Sequence, residues 1–376
     1  MTSSRLPPTI VTFPICGFCS VFLLTTHEPS FYSYEVEVSM HSATASATPD
    51  NSLARVTGVV GVELGRVEAR IAEQAAAFDP AIEGYVSYAI GGRGKRLRPL
   101  TALLSGGAIG PISPEHIDLA VVVELIHIAT LVHDDIMDEA VRRRAQPTVN
   151  ARWGNSLSVL LGDCLFAHAL NLSANFENPE VGRAIARAAR EVCTGEIIQT
   201  QRRFDLHLAV DDYLRIIQMK TGSLFAVGAE LGAILSGADQ ATALGLKEFA
   251  MRVGTAYQIY DDCLDIAGDE DATGKTLGTD LRKGKLTLPV LMLLRSAPAV
   301  DKERCAELIL EGNLSEITRL VKAAAANGAL SAAIESGQDL LRDAEIKLTG
   351  LPVNKYSEAL FGLSEAVREL FEEVRA

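Results

Sequence analysis

Apolar residues recur every three or four positions through most of this 376-residue chain, and this spacing constrains the fold more than any other feature. Ile117, Val121, Leu125, Ile128 and Val132 follow one another at intervals of four, four, three and four residues, so they share one face of a helix. Aromatic residues make up 6%, and no alternating strand pattern follows residue 50. The pattern predicts an all-α fold, a single large bundle of ten or more helices.

The first 52 residues differ from the rest of the chain. The apolar run at 15–24 is about ten residues long, too short to span a bilayer, and a Ser/Thr/Ala-rich tract follows at 41–48. We expect residues 1–52 to be a disordered extension, or sequence upstream of a true start at Met40, in preference to a targeting segment. Residues 53–376 are expected to form the helical domain, without a transmembrane span.

The balance of charge excludes one class of partner. The formal net charge is −13 and the sequence pI is near 5.1. A general nucleic-acid binder would need a basic surface, so no nucleic-acid partner is expected. The six scattered cysteines are too few for a disulfide scaffold, and we expect a cytoplasmic protein.

Two Asp-Asp-x-x-Asp clusters each end an apolar helical run. Their aspartates are Asp134, Asp135 and Asp138, and Asp261, Asp262 and Asp265. Residues four apart share a helix face and like charges there repel, so such clusters make sense where cations neutralise them. Carboxylates without Cys or His partners suit a hard cation. Mg²⁺ is favoured because it binds through one or two carboxylates while sharing phosphate oxygens and waters. The alternative is a solvated acidic helix end.

Basic residues are concentrated near both acidic clusters. Four cations lie within residues 93–98, Arg142-Arg143-Arg144 follows the first acidic cluster, and Lys283 and Lys285 follow the second. Solvated loop charge would explain any one of these runs. Together they fit a substrate that carries a diphosphate, which Mg²⁺ bridges to the carboxylates while Arg and Lys bind the remaining oxygens.

These motifs in combination resemble the trans-isoprenyl diphosphate synthases, the polyprenyl synthetase family, from about Leu64 to the C-terminus. Besides the aspartate clusters, the matching motifs are Gly-Lys-Arg-Leu-Arg-Pro at 94–99, Glu-Leu-Ile-His at 124–127, Gly-Asp at 162–163, Lys-Thr-Gly at 220–222, Tyr-Gln at 257–258 and Gly-Lys-Leu-Thr-Leu-Pro at 284–289. The resemblance implies an isoprenoid synthase-like fold, in which the helices surround a central cavity, as well as a homodimer and a Mg²⁺-dependent prenyltransferase. The implied reaction adds isopentenyl diphosphate head-to-tail to an allylic diphosphate to make a trans-polyprenyl diphosphate.

The resemblance also implies roles, residue by residue. The implied Mg²⁺ ligands are Asp134, Asp135 and Asp138 on the allylic diphosphate, with Asp261, Asp262 and Asp265 on the facing helix. The positions implied to bind isopentenyl diphosphate are Lys95, Arg98, His127 and Arg144. Those implied around the allylic diphosphate are Arg143, Lys220, Thr221, Gln258 and Lys285. Catalytic roles are implied for Asp134, Asp138, Arg143, Lys220, Asp261 and Asp262.

Two departures from the family pattern lie in the basic runs. Ala145 replaces the Gly that usually follows the arginine pair, and Arg93 interrupts the Gly-Gly before Lys95. Both changes keep the cations, so we expect shifted loops and unchanged chemistry.

Product length depends on the helix below Asp134. Ala129 and Thr130 lie about one turn below it and carry no ring. In the resembling family a bulky ring there stops elongation early, so the resemblance implies a long product of about thirty carbons or more. Alternatively, a residue from another helix could close the bottom of the tunnel in which the product grows.

Two other functions are compatible with parts of the pattern. A class I terpene cyclase would share an aspartate-rich metal site, but it would not need Lys95, Arg98 and His127 as a second diphosphate pocket. A non-catalytic regulatory subunit of a heteromeric synthase would be expected to lose aspartates, and both clusters are complete.

Overall fold

The structure, a computed structural model, describes residues 52–92, 94–143, 146–267, 278–296, 299–311 and 328–375. The predicted extension lies outside these residues except for Ser52, so its nature stays a prediction. Arg93, Arg144 and Ala145 also lie outside them, and so do the loop shifts expected at those positions.

The described residues form more than ten helices, as the apolar spacing predicted. In chain order they are α1 (Ser52–Val59), α2 (Gly61–Glu73), α3 (Pro80–Ile90), α4 (Leu97–Ile109), α5 (Pro114–Met137), α6 (Val149–Trp153), α7 (Asn155–Ala174), α8 (Pro179–Gln201), α9 (Val210–Ile217), α10 (Ser223–Leu235), α11 (Gln240–Ala267), α12 (Thr279–Arg282), α13 (Leu288–Ser296), α14 (Ala299–Glu311), α15 (Ala329–Ile346) and α16 (Lys355–Arg375). A 3₁₀ helix, Gln74–Ala77, follows α2, and a π-helical turn, Gln218–Gly222, joins α9 to α10.

A short β-hairpin is the exception to the helical pattern within the described residues. Strand β1 (Arg142–Arg143) pairs antiparallel with β2 (Gln146–Pro147). Each strand has two residues, too few for an alternating pattern to be visible in the sequence. The Tyr88 hydroxyl donates a hydrogen bond to the Pro147 carbonyl at 2.7 Å, which ties the hairpin to α3.

Helix α5 runs through the core and presents the first aspartate cluster at its end. Pro114 occupies its first turn, and Ser113 and His116 form a capping box at its start. The five apolar positions that predicted this helix are all buried, none more than 9% exposed. The helix ends at Met137, and Glu139 follows with a left-handed φ of 48°.

Helix α10 contacts both of the helices that carry an aspartate cluster, α5 and α11. It packs against both α5 and α11, and α11 also packs against α15 and α16. The two aspartate clusters therefore lie on separate helices that share one neighbour in the core.

Helices α5 and α7 are each long and apolar enough to cross a membrane. In α5, 72% of the most apolar 18-residue window is buried inside the protein, against 33% in α7. Length and composition alone do not decide whether these two helices span a membrane, and the expectation of no transmembrane span stays a prediction. Core helices pass the same test, so this is weak evidence for a membrane span.

The crossing of α4 and α10 allows a test of the packing. A Cβ added at Gly232 would lie 2.4 Å from the Ala102 carbonyl oxygen, which is part of the helix backbone and cannot rotate away. We expect Gly232→Ala to lower the free energy of unfolding by about 1–3 kcal/mol, measured by thermal or urea denaturation.

Gly65→Ala is the matched control for that substitution. Gly65 is exposed on α2, and an added Cβ would meet nothing within 4 Å. We expect it to be neutral or to stabilise the protein by up to about 1 kcal/mol, since Ala favours helix over Gly. Equal stability of Gly232→Ala and wild type would contradict the close crossing.

Candidate active site

Lys220 lies against the first aspartate cluster, in the π-helical turn Gln218–Gly222. Its Nζ is 3.7 Å from an Asp134 carboxylate oxygen, pairs with Glu196 and donates a hydrogen bond to Gln199 Oε1 at 3.1 Å. Burial lowers the pKa of Lys220, but the charges of Asp134 and Glu196 outweigh burial and the pKa is raised overall. Burial raises the pKa of Asp134, which the charge of Lys220 opposes. Lys220 therefore stays charged and neutralises the end of α5.

Lys285 connects the two aspartate clusters. Its Nζ donates a hydrogen bond to Asp138 Oδ1 at 2.8 Å and lies 3.8 Å from Asp280 Oδ1. The backbone N–H of Asp280 donates in turn to Asp265 Oδ2 at 3.3 Å. Asp138 on α5 and Asp265 on α11 thus stand at the two ends of one chain of contacts.

In the first cluster, Asp138 is more strongly neutralised by nearby lysines than Asp134 is. Lys283 Nζ lies 3.4 Å from the same Oδ1 that Lys285 contacts, and it also donates to the Asp138 carbonyl. Burial raises the pKa of Asp138, but the charges of Lys285 and Lys283 outweigh burial and hold the pKa below its ordinary value. This carboxylate is ionised at neutral pH and available to a cation.

The second aspartate of each cluster is bonded inside the protein. Asp135 and Asp262 are both 5% exposed, whereas the aspartates on either side are less buried. Arg143 Nε donates to Asp135 Oδ1 at 2.8 Å. The Tyr213 hydroxyl donates to one oxygen of Asp262 at 2.5 Å, and Gln258 Nε2 donates to the other at 2.9 Å. The two clusters therefore share a division between outer aspartates and an internally bonded middle one.

Gln258 links the second cluster to the Lys-Thr-Gly motif. Its Oε1 accepts a hydrogen bond from Thr221 Oγ1 at 2.7 Å while its Nε2 donates to Asp262. Thr221 follows Lys220 directly, so the predicted residues Lys220, Thr221 and Gln258 lie in one connected group.

Lys95 and Arg98 lie over aromatic rings. Lys95 Nζ is 5.6 Å from the ring centre of Tyr257 and 5.7 Å from that of Tyr260, both on α11. The Arg98 guanidinium carbon is 4.9 Å from the Phe225 ring centre. Burial lowers the pKa of Arg98, and its buried Nε has no hydrogen-bond partner among the described residues. A buried donor without a partner suits an anionic ligand.

The remaining predicted residues lie on α5 or outside the described residues. His127 is half-buried one turn above Glu124, and its carbonyl accepts a hydrogen bond from Thr130 Oγ1 at 2.8 Å. Ala129 is fully buried. Arg144 lies outside the described residues, so its place in the site stays a prediction.

Four residues of the site escaped the sequence reasoning. They are Glu196, Gln199, Tyr213 and Asp280. Glu196 and Gln199 lie on α8, Tyr213 lies on α9 and Asp280 lies on α12, and no motif in the sequence marked them. A partial signal existed for Asp280, which lies five residues before Lys285 in a segment already marked by its basic run.

The donor set fits a divalent cation shared with a ligand. Among the described residues, no three His, Cys, Asp or Glu side chains form a ready-made metal site. Mg²⁺ does not require one, because it commonly takes one or two carboxylates and completes its shell with phosphate oxygens and waters. Asp134 and Asp138, one helical turn apart, supply carboxylates of that kind.

A family model described as Polyprenyl synthetase matches residues 79–326. The chain belongs to the polyprenyl synthetase family. This confirms the family and the all-α fold that the motifs predicted.

Relatives of this polyprenyl synthetase cover most of its length. It is 32% identical to the octaprenyl diphosphate synthase of Escherichia coli (strain K12), over 83% of this chain and 97% of that protein. The structure of a decaprenyl diphosphate synthase from Rhodobacter capsulatus is similar, with a TM-score of 0.79 and 32% identity over 86% of this chain and 100% of that one. A polyprenyl synthase from Caulobacter crescentus CB15, complexed with calcium and isoprenyl diphosphate, has a TM-score of 0.78 and 34% identity, covering 85% and 99%.

The buried Asp262 predicts a pH dependence of stability in the metal-free protein. Burial, together with the charge of Asp280, raises the pKa of Asp262 from 3.8 to about 8. Between these values the folded state holds a proton that the unfolded state has lost. The free energy of unfolding should therefore fall as pH rises through this window, by at most about 1.4 kcal/mol per pH unit.

Asp262→Asn should remove this contribution and make the fall in the free energy of unfolding between about pH 4 and pH 8 less steep. Urea denaturation in EDTA at several pH values measures the difference between variant and wild type. Asp118→Asn, on the exposed side of α5, should leave the slope unchanged. Parallel curves for Asp262→Asn and wild type would contradict the raised pKa.

Proposed function

We propose that the chain is a Mg²⁺-dependent prenyltransferase that condenses isopentenyl diphosphate head-to-tail with an allylic diphosphate to make a long trans-polyprenyl diphosphate. The observation that carries the proposal is the chain of contacts from Asp138 through Lys285 and Asp280 to Asp265. Carboxylates interleaved with cations suit a group with many anionic oxygens that binds partly through a divalent cation. The relatives named octaprenyl and decaprenyl diphosphate synthases support the same reaction and a long product.

The outer aspartates are the proposed metal ligands. Asp134 and Asp138 face the site from α5, and Asp261 and Asp265 face it from α11. Mg²⁺ bound there would supply positive charge that stabilises the diphosphate leaving group. Asp135 and Asp262 belong to the metal site as the buried members of each cluster, where Arg143, Tyr213 and Gln258 hold them.

The cations around the first cluster have two roles in this proposal. Without a ligand, Lys220 and Lys285 neutralise Asp134 and Asp138. With a metal ion on the carboxylates, both ammonium groups would be free to bind the oxygens of the allylic diphosphate, and Arg143 and Thr221 would contribute further donors. They then stabilise the negative charge that develops as the allylic C–O bond breaks.

The second substrate would bind at the other group of cations. Lys95, Arg98 and His127, with Arg144, would hold the diphosphate of isopentenyl diphosphate. The double bond of this substrate attacks the allylic carbocation, a C–C bond forms and a proton leaves to the released diphosphate. The apolar faces of α5 and α10 keep water away from the carbocation.

Two rival functions are separated by simple assays. A class I terpene cyclase would consume an allylic diphosphate alone, whereas the proposed enzyme needs isopentenyl diphosphate as well. A regulatory subunit would be inactive by itself, whereas the proposed enzyme elongates as a purified single chain. Both aspartate clusters and the separate pocket of Lys95 and Arg98 favour the prenyltransferase.

We also propose that the protein is a cytoplasmic homodimer. Leu160 is 62% exposed on α7, and Ile197 is 59% exposed on the neighbouring α8. A second copy of the chain would cover these apolar side chains. Sedimentation equilibrium at micromolar concentration distinguishes a dimer from a monomer.

Asp134→Ala tests the metal role. The variant should fold normally but lose turnover by a factor of about 10³ or more, because a carboxylate that orients the leaving group is gone. Steady-state assays with radiolabelled isopentenyl diphosphate measure the loss.

Asp118→Ala is the matched control for Asp134→Ala, since Asp118 is an exposed aspartate on the same helix. Its turnover should stay near that of wild type. Turnover close to wild type in Asp134→Ala would reject the metal role.

Ala129→Phe tests the product-length determinant. Ala129 is fully buried about one and a half turns below Asp134, so a ring there should block the growing chain and shorten the product by several isoprene units. Chromatography of dephosphorylated products measures the distribution. The near-isosteric Ala129→Ser should keep the long product, and an unchanged distribution in Ala129→Phe would put the floor of the tunnel elsewhere.

A further inference from the structure

We propose that Arg96 is a positioning residue that sets the geometry of the isopentenyl diphosphate pocket by clamping Lys95 and the first turn of α4, which carries Arg98, onto α5, which carries His127. This role rests on the proposed function, because it presumes that those three side chains bind isopentenyl diphosphate.

Arg96 differs from the basic residues on either side of it. Its side chain is 8% exposed, and it faces the interior of the protein. Lys95 is exposed and lies over two tyrosine rings, and Arg98 lies over Phe225. Arg96 therefore belongs to the same basic run in the sequence without being available to bind a diphosphate.

The Arg96 guanidinium is satisfied by two carboxylates from two helices. Its Nε and Nη2 donate to the two carboxylate oxygens of Glu68 on α2, at 2.6 and 3.1 Å. Its Nη1 donates to Glu124 Oε1 on α5 at 2.7 Å, and Nη2 also donates to the Gly92 carbonyl at 3.1 Å. One side chain thus joins α2, α5 and the approach to α4, with the planar fork geometry that favours Arg over Lys.

The backbone of Arg96 gives a second, independent observation. Its φ is 49° and its ψ is 36°, the left-handed region that residues with a side chain rarely adopt. It does so immediately before α4, whose Leu100 N–H donates to the Arg96 carbonyl at 2.9 Å. A strained residue persists where surrounding contacts determine it, and the ion pairs of Arg96 supply those contacts.

The contacts of Arg96 with Glu68 and Glu124, here called the clamp, join the side chains that bind isopentenyl diphosphate in the proposed function. Glu124 and His127 are three residues apart on α5, hence neighbours on its surface. The charge of Glu124 also acts on Arg98, where it opposes the burial that lowers the pKa of Arg98. Through Glu124, Arg96 fixes the distance between the basic run at 95–98 and His127. Loosening the clamp should therefore weaken isopentenyl diphosphate binding and leave the aspartate clusters intact.

Glu68→Gln is the most selective test of the clamp, because Glu68 is the more exposed of the two glutamates that bind Arg96. The Glu68 side chain is 49% exposed, so removing its charge leaves no buried carboxylate unpaired. We expect KM for isopentenyl diphosphate to rise about three- to tenfold, with kcat and KM for the allylic diphosphate within about twofold of wild type. Arg96→Lys, which keeps the charge and loses the fork, should raise the same KM by more.

Glu73→Gln is the matched control, since it removes the same charge from the same helix and breaks the exposed pair of Glu73 with Arg70. It should leave both KM values unchanged. Calorimetric titration of each protein with isopentenyl diphosphate and Mg²⁺ should reproduce the selective loss without turnover.

The outcomes separate this role from the proposed function. No elongated product from wild-type protein with both diphosphates would overturn the proposed function and the clamp with it. An active wild type whose isopentenyl diphosphate KM is unchanged in both Glu68→Gln and Arg96→Lys would overturn the clamp alone. An equal rise of both KM values, with a lower Tm, would also overturn it, because that result indicates general loss of structure.

Discussion

The ion pairs between the aspartates at the end of α5 and lysines from other elements hold the site together. Asp134 and Asp138 share one face of α5, where their mutual repulsion disfavours helix. Lys220 reaches them from the π-helical turn before α10, and Lys285 reaches them from the segment before α13. Because these pairs are partly buried, water screens them weakly. The acidic end of α5 thereby determines where the segments that carry Lys220 and Lys285 lie.

Runs of like charge in this protein contain residues of two kinds. In each aspartate cluster, Asp135 or Asp262 is buried and bonded inside the protein, while the aspartates on either side are less buried. In the basic run before α4, Lys95 and Arg98 lie over aromatic rings while Arg96 pairs internally with two glutamates. A buried, internally bonded residue fixes the backbone around it, and this orients the residues next to it in the sequence. The repeated residue type therefore reflects both ligand binding and the support that ligand binding needs.

The sequence predicted the parts of this architecture that depend on local pattern. The interval of the apolar residues on α5 located a buried helix, and the aspartate cluster marked the end of that helix, where Lys220 and Lys285 lie against it. The contacts of Asp280 and Tyr213 were not predictable, because each depends on a chain reversal or helix crossing that only the packed structure defines. The separation of Arg96 from its basic neighbours was hidden for the same reason, since a left-handed backbone turn decides the direction of its side chain.

A double-mutant cycle on Asp138→Asn and Asp265→Asn tests most directly whether the two helices form one diphosphate site. The quantity to measure is the Mg²⁺-dependent affinity for an unreactive allylic diphosphate analogue. If both carboxylates act on one bound group, their effects should be coupled by about 0.5–3 kcal/mol. Effects that add to within about 0.5 kcal/mol would mean that the aspartates act independently, and the account of a shared site would be wrong.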